Sequence, residues 1–332
     1  MQFVVAGIFG QEIEVTLTGR WFVIGVLTVL GGVVGSFINV VVHRLPRKMS
    51  LSQPPSHCPA CERPIRWRDN VPVFGWIILG GRCRDCRAAI SPRYPLVEAL
   101  VAVVGGLLAW REAVTPLGVP VGSAEVFLLT PENFGFHFWL ACVLITAALI
   151  EFDGYVPPSI LIRSSLIVGL VALLIWRDLQ PPGDLYPTTG LFAGMIGMLT
   201  AVVIGAGPWV TWLVNTQKWK LAYATTALGE LAVVGTFLGD HAVITIGLES
   251  MALCVALQIA ARKWPAVGRF GWAGPLALVT LIWMVTWPDF VPLDPQISTE
   301  PGIRLMVAGS IMTFLAIALQ LAWSPNRHLE RL

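Results

Sequence analysis

Long apolar runs alternate along this chain with short polar stretches, and the runs have the length of a bilayer crossing. About 20 apolar residues span a bilayer as helix. Trp21–Val42 holds no Lys, Arg, Asp or Glu, and neither do Phe134–Ile150, Leu185–Gln217, Phe270–Pro288 and Leu305–Trp323. Further runs carry one charge each: Tyr94–Trp110 with Glu98, Pro158–Trp176 with Arg163, Leu221–Gly239 with Glu230, and His241–Ala261 with Glu249. The pattern predicts an all-α polytopic membrane protein of about nine transmembrane helices, the last-named pair divided at Asp240. Residues 1–20 are mixed in polarity, and the first apolar run leads into a basic loop, so no cleavable signal is expected.

Composition agrees. The chain has 332 residues, 55% of them apolar and only 13% charged, where a soluble domain carries about 25% charged residues. Charge is scarce because it is expensive in hydrocarbon, and this disfavours a large soluble protein with an apolar core. The formal net charge is +2, which leaves no electrostatic footprint for nucleic acid. The bases fall unevenly. Ten Lys or Arg lie between His43 and Arg93, whereas the Arg111–Asn133 loop has one base and three acids. Lys218, Lys220, Arg262, Lys263 and Arg269 share the side of the first loop, and the acidic stretch Asp289–Glu300 faces the other. Cytoplasmic loops are enriched in Lys and Arg. The expected topology has the N-terminus outside, with the His43–Arg93 loop and the tail from Arg327 in the cytoplasm of a bacterial inner membrane.

That loop carries the clearest chemistry. Cys58-Pro-Ala-Cys61 and Cys83-Arg-Asp-Cys86 are two CxxC pairs with 21 residues between them. Each such turn presents two thiolates, and two turns close a tetrahedral zinc site. Arg82, Arg84 and Arg87 nearby favour thiolate over thiol. Disulfides are the alternative, disfavoured in a reducing compartment. Four thiolates fill the coordination sphere, so the zinc is structural. Cys142 and Cys254 stand alone in predicted spans and read as small apolar residues.

Three motifs now stand in register: Gly35-Ser-Phe-Ile-Asn-Val-Val-Val-His-Arg-Leu-Pro46, the two CxxC pairs, and Ser91-Pro-Arg-Tyr-Pro-Leu-Val-Glu98. Over Gly35–Ala102 the chain resembles the N-terminal half of the bifunctional type IV prepilin peptidases, and Gly274-Pro275 resembles a late Phe-Gly-Pro element of the same family. The resemblance implies a membrane aspartic endopeptidase that removes the leader of a type IV prepilin or pseudopilin precursor. It also implies N-methylation of the product with S-adenosylmethionine. No Gly-rich dinucleotide loop appears, so a retained methyltransferase would use the zinc loop and nearby helix ends. Gly31, Gly32, Gly35 and Ser36 also have a packing reading, as small residues at a close helix contact. Asn39 and His43 are open to either a functional or a packing role.

The catalytic acids depart from the family pattern. Its first acid lies in a segment of the type Ile-Asp-x-Asp-x-x-x-x-Pro-Asp, and the stretch here is Ile150-Glu-Phe-Asp-Gly-Tyr-Val-Pro-Pro-Ser159. Glu151 takes the first catalytic position, Asp153 the neighbouring acid, and Ser159 replaces the last. The family's second acid, in Gly-x-Gly-Asp-x-Lys, precedes a helix that Ala232-Val-Val-Gly-Thr-Phe-Leu-Gly239 matches. Counting back puts Ala227 at the acid, with Thr226 and Gly229 beside it. Glu230 lies three residues on, about 4.5 Å along a helix and on roughly the same face. An acid inside a span is a functional candidate by default. The expectation is a shifted dyad of Glu151, with Asp153, and Glu230. The simpler readings are solvated acids at a helix end and a hydrogen-bonded protonated Glu230. The competing functions are a degenerate, non-catalytic homologue acting in pilus or type II secretion assembly, and a transporter using Glu230 and Glu249. The division expected is 1–20 external, 21–42 first span, 43–93 zinc loop, 94–325 peptidase-like helical domain and 326–332 tail.

Overall fold

The computed structural model describes residues 3–6, 12–15, 17–114, 131–176, 179, 190–214, 220–260 and 271–290. The expected span Leu305–Trp323, the tail and most of the Arg111–Asn133 loop lie outside them. The chain divides into two compact units. One holds residues 1–116 and 125–134, the other 117–124 and 135–332.

The first unit opens with a departure from the all-helical expectation. Strands β1 (Phe3–Ala6) and β2 (Glu12–Val15) pair antiparallel. Glu-Ile-Glu-Val alternates with the period of a strand, a signal short enough to be lost in the mixed polarity of the first 20 residues. Helix α1 (Leu17–Arg44) follows. Its 28 residues make a rod of about 42 Å. After the loop comes α3 (Arg93–Val114). The two pack closely because α1 presents small residues. A side-chain carbon at Gly31 would lie 2.7 Å from the Val101 carbonyl oxygen, and one at Gly35 would lie 2.9 Å from Glu98 Cα. The packing reading of the small residues is therefore borne out. Asn39 works at the same contact, its Nδ2 donating to the Tyr94 carbonyl (3.2 Å). Between the two helices lies the short α2 (Phe74–Ile78).

The second unit is helical throughout its described residues, and α4 (Pro131–Phe152) leads into it. Then come α5 (Ser159–Ile175), α6 (Gly190–Val214), α7 (Lys220–Ala260) and α8 (Ala273–Phe290). Helices α5, α6 and α8 all pack against α7. Gly197 of α6 and Gly235 of α7 meet backbone to backbone, and a side-chain carbon on either would collide with the other's carbonyl oxygen. The expected division near Asp240 is a break inside α7: Gly239 takes φ 85°, ψ −179°, which glycine adopts freely. On α4, Phe136 stacks on Phe237 with ring centroids 4.3 Å apart.

Among the described residues, Trp21–Arg44, Arg93–Glu112 and Pro131–Phe152 are long and apolar enough to cross a membrane. Ser159–Ile175, Gly190–Val203, Ala242–Cys254 and Ala273–Val285 are shorter apolar helical stretches.

Candidate functional site

Two clusters carry chemistry, one in each unit. In the first, each CxxC pair sits in the same turn. The Cys58 N–H donates to the Arg63 carbonyl (3.0 Å), Glu62 N–H to Cys58 (2.8 Å) and Ile65 N–H to Ser56 (2.8 Å). The second turn repeats the pattern: Cys83 to Ala88 (2.8 Å), Arg87 to Cys83 (3.0 Å) and Ile90 to Gly81 (2.8 Å). Glu62 and Arg87 occupy equivalent places with φ of 57° and 61°. The backbone hydrogen bonds thus build two matched knuckles.

Their four sulfurs converge within 4.8 Å of one another. Cys58 Sγ and Cys86 Sγ are 3.7 Å apart, and no disulfide joins any of the four. A tetrahedron with metal–sulfur bonds of about 2.3 Å has edges of about 3.8 Å, so the set fits a four-thiolate metal ion. The Cys58 thiol is drawn down to about 7, chiefly by the backbone N–H groups of Ala60 and Cys61. At Cys86 the Ala88 N–H favours thiolate, but lost hydration and the neighbouring sulfurs push the thiol up to about 12. Four sulfurs this close cannot all ionise unless a cation joins them.

The arginines play a different part from the one their positions suggest. Arg84 makes a two-pronged ion pair with Asp69 (2.8 and 2.6 Å), and its hydrogen bonds hold the Asp69 carboxyl below the usual range. Arg63 and Arg66 approach Asp85 at 3.5 and 3.6 Å. Arg84 is thus spent on tying the second knuckle to the 67–69 turn. Arg44, at the end of α1, donates to the carbonyls of Ser50 (3.0 Å) and Pro54 (2.7 Å) and shapes the start of the loop.

The second cluster is built from the end of α4, the start of α8 and the interior of α7. Helix α4 stops in a Schellman turn: Tyr155 N–H donates to Ile150 (3.1 Å) and Gly154 N–H to Glu151 (2.8 Å), with Gly154 at φ 81°. This leaves Glu151 in the last turn, only 8% exposed. Its Oε2 accepts the Ala273 N–H at 2.7 Å. Ala273 is the first residue of α8, so a carboxylate from α4 caps the positive end of another helix. Glu230 on α7 is 1% exposed, and neither of its carboxyl oxygens has a hydrogen-bond partner. Glu151 is near enough for its charge to act on both Glu230 and Cys254. Asp153 is partly exposed within the turn, while Ala227 and Thr226 are buried on α7 as Glu230 is. Glu249 lies on an exposed face of α7, unlike Glu230.

The expected acids Glu151 and Glu230 both lie buried in the second unit. One group near Glu151 went unread, the Ala273 N–H. Pro275 in the first turn of α8 is a usable signal for it, since proline favours helix starts. The partner at the end of α4 is a product of packing alone.

The chain is similar to known proteins over much of its length. Residues 29–112 match the family profile described as "Bacterial Peptidase A24 N-terminal domain". The chain is 33% identical over 267 residues to the type 4 prepilin-like proteins leader peptide-processing enzyme of Escherichia coli O78:H11, covering 74% of this chain and 88% of that one. It is 32% identical over 250 residues to a prepilin leader peptidase/N-methyltransferase of Pseudomonas aeruginosa, covering 67% and 75%. A like-named enzyme of Neisseria gonorrhoeae is 28% identical over 294 residues, covering 80% and 90%. No solved structure matches the chain.

Proposed function

Because the chain belongs to the prepilin leader peptidase family, we propose that it is a membrane endopeptidase that cleaves the leader from a type IV prepilin or pseudopilin precursor, with Glu151 and Glu230 as its two acids. The observation that carries this reading is the buried pair itself. One carboxylate is fixed by a helix N-terminus, the other is bare, and the two interact. Glu151, which accepts an amide hydrogen bond, is the ionised member. Glu230, at which no donor is aimed, carries the proton.

In the first step a water oxygen bonds to the scissile carbonyl carbon. The water gives a proton to Glu151, and Glu230 gives its proton to the carbonyl oxygen. The carbon–nitrogen bond then breaks as Glu151 returns its proton to the leaving amine. Glu230 regains a proton from the collapsing diol. Asp153 is the reserve acid, outside the buried pair.

Nine spans, an external N-terminus and a cytoplasmic zinc loop and tail complete the reading, supported by the apolar runs and the distribution of bases. Cys58, Cys61, Cys83 and Cys86 hold a structural zinc and take no part in hydrolysis. If the second family activity is retained, S-adenosylmethionine is its methyl donor and the product's new N-terminus its acceptor. One observation favours the non-catalytic reading: Ala227, with no carboxylate, stands where the family's second acid falls, and is buried there.

Cleavage of a generic prepilin by membranes holding this protein separates the two. We expect cleavage by the unaltered protein, and a loss of about 10²- to 10⁴-fold in both Glu151→Gln and Glu230→Gln. Unimpaired cleavage by either variant would remove that residue from the dyad. No cleavage by the unaltered protein, with zinc bound and several precursors tried, would favour the non-catalytic homologue.

A further inference from the structure

One stretch of the zinc loop is unlike the rest. Residues 71–79 read Val-Pro-Val-Phe-Gly-Trp-Ile-Ile-Leu, with no charge and no polar side chain, inside the most basic segment of the chain. It is too short to cross a bilayer. Its residues 74–78 form α2, which turns Phe74, Ile77 and Ile78 outward, at 64%, 58% and 73% exposed, while the Trp76 ring N–H donates to the Ile90 carbonyl at 3.0 Å. The opposite side is glycine. Gly75 is buried against the Asp69 carbonyl, with no room for a side chain, so the helix rests on the 67–69 turn and displays its apolar face. A soluble loop has no reason to hold three large apolar residues in water on one helical turn.

The position of this stretch gives the reason. The exposed large apolar side chains of α1 end at Phe37, and those of α3 begin with Tyr94 and Leu96. These mark one edge of the lipid-facing belt. The loop does not stay beyond that edge. Pro72 reaches back to α1 at Gly32, where an added side-chain carbon would lie 3.4 Å from Pro72 Cβ. Gly32 is about 7.5 Å inside the belt, counted along the helix from Phe37. Val73 N–H donates to Glu98 Oε2 at 2.7 Å, and Glu98 also lies inside the edge, beyond Leu96 on α3. Two independent anchors, one on each helix, hold the start of α2 at the depth of the lipid chains.

We infer that residues 71–79 dip into the bilayer as a re-entrant hook, with Phe74, Ile77 and Ile78 among the outer lipid chains. The occupant of the exposed face is the membrane itself, continuous with the lipid surface of α1 and α3. Interfacial helices lie with their apolar face buried about 5–10 Å into the headgroup and acyl boundary, the depth that Gly32 and Glu98 set. The surroundings suit a headgroup layer. Trp67 is exposed next to the hook, with the Arg68 guanidinium 5.9 Å from its ring centre, and tryptophan and arginine favour that boundary. The hook ties the zinc knuckles to the membrane surface at a second place besides the ends of α1 and α3. The inference rests on α1 and α3 crossing the bilayer, and not on the acids.

The test uses the full chain in vesicles of phosphatidylcholine and phosphatidylglycerol. A fluorescent amino acid is placed singly at Ile77, Ile78, Val33 and Ser52, and each variant is required to bind the same amount of zinc. Val33 reports the lipid face of α1, and Ser52 an exposed part of the loop. Lipids brominated on the acyl chain should quench positions 77 and 78 to within about twofold of position 33, with aqueous iodide quenching only position 52. Iodide quenching at 77 and 78 equal to that at 52 would overturn the hook. Quenching there by neither agent would also overturn it, by showing that protein covers the face. If position 33 itself is not quenched by bromine, α1 does not face lipid and the premise fails.

Discussion

The knuckles and the acid pair both gather groups that repel one another, by opposite means. The four sulfurs come from two copies of one short turn, each closed by its own backbone hydrogen bonds, and a bound cation would resolve their repulsion. The two carboxylates come from helices far apart in sequence. No cation is needed there, because one acid is fixed by an amide of a third helix and the other can hold a proton. A site made of local turns is robust to what surrounds it. A site made of helix ends exists only while the bundle is packed.

Substitutions can break or sharpen that contrast. The largest effect belongs to the metal. Cys83→Ser should abolish stoichiometric zinc, measured by metal analysis, since structural zinc supplies about 10–16 kcal/mol to small sites at neutral pH. The 45–92 loop should then become protease-sensitive. Ala273→Pro should come next. Proline is tolerated at the first position of a helix, so the change removes chiefly the N–H that holds Glu151. Misplacing a catalytic group by about 1 Å can cost about 10²-fold in rate, and we expect a loss of that order in prepilin cleavage with zinc content unchanged.

Smaller effects test the scaffolds. Gly235→Ala should destabilise the second unit by about 1–3 kcal/mol through overpacking against Gly197, read as a lower Tm. Glu62→Gly and Arg87→Gly should each raise the stability of the zinc loop by up to about 1 kcal/mol, since both now hold a left-handed backbone. Asp69→Asn should do least, visible only in acid-dependence. The Asp69 carboxyl is held low by Arg84, so its contribution is present above the ordinary aspartate range and lost as pH falls through the lower folded value. The variant should lack that acid-induced step in a loop-unfolding curve.

The same contrast explains what was legible in the sequence. Cys58, Cys61, Cys83 and Cys86 were readable because their spacing is the geometry. Helices α1, α3 and α4 were readable from runs of apolar residues, and the small residues of α1 from their need for a near neighbour. Glu151 and Glu230 were readable as single candidates, since an acid in an apolar helix is costly. Their burial in one unit was not, because it depends on how the helices pack. Nor was the capping of α8 by Glu151, since nothing near Ala273 names its partner. The Arg84–Asp69 pair was not legible, because a separation of 15 residues carries no local pattern that joins the two. Residues 71–79 were not legible as a membrane segment, because the run is too short to cross a bilayer and has bases on either side.

The contact of Gly197 with Gly235 has a mechanical meaning. Helices that meet through side chains can slide by exchanging rotamers. Where two peptide groups touch, nothing is available to exchange, and the joint behaves as a weld. Helix α6 and the first stretch of α7 therefore move as one beam. Glu230 rides on that beam, little more than one turn from the weld. Any incoming helix that reaches Glu230 has to approach along a flank of α7 other than the one α6 occupies.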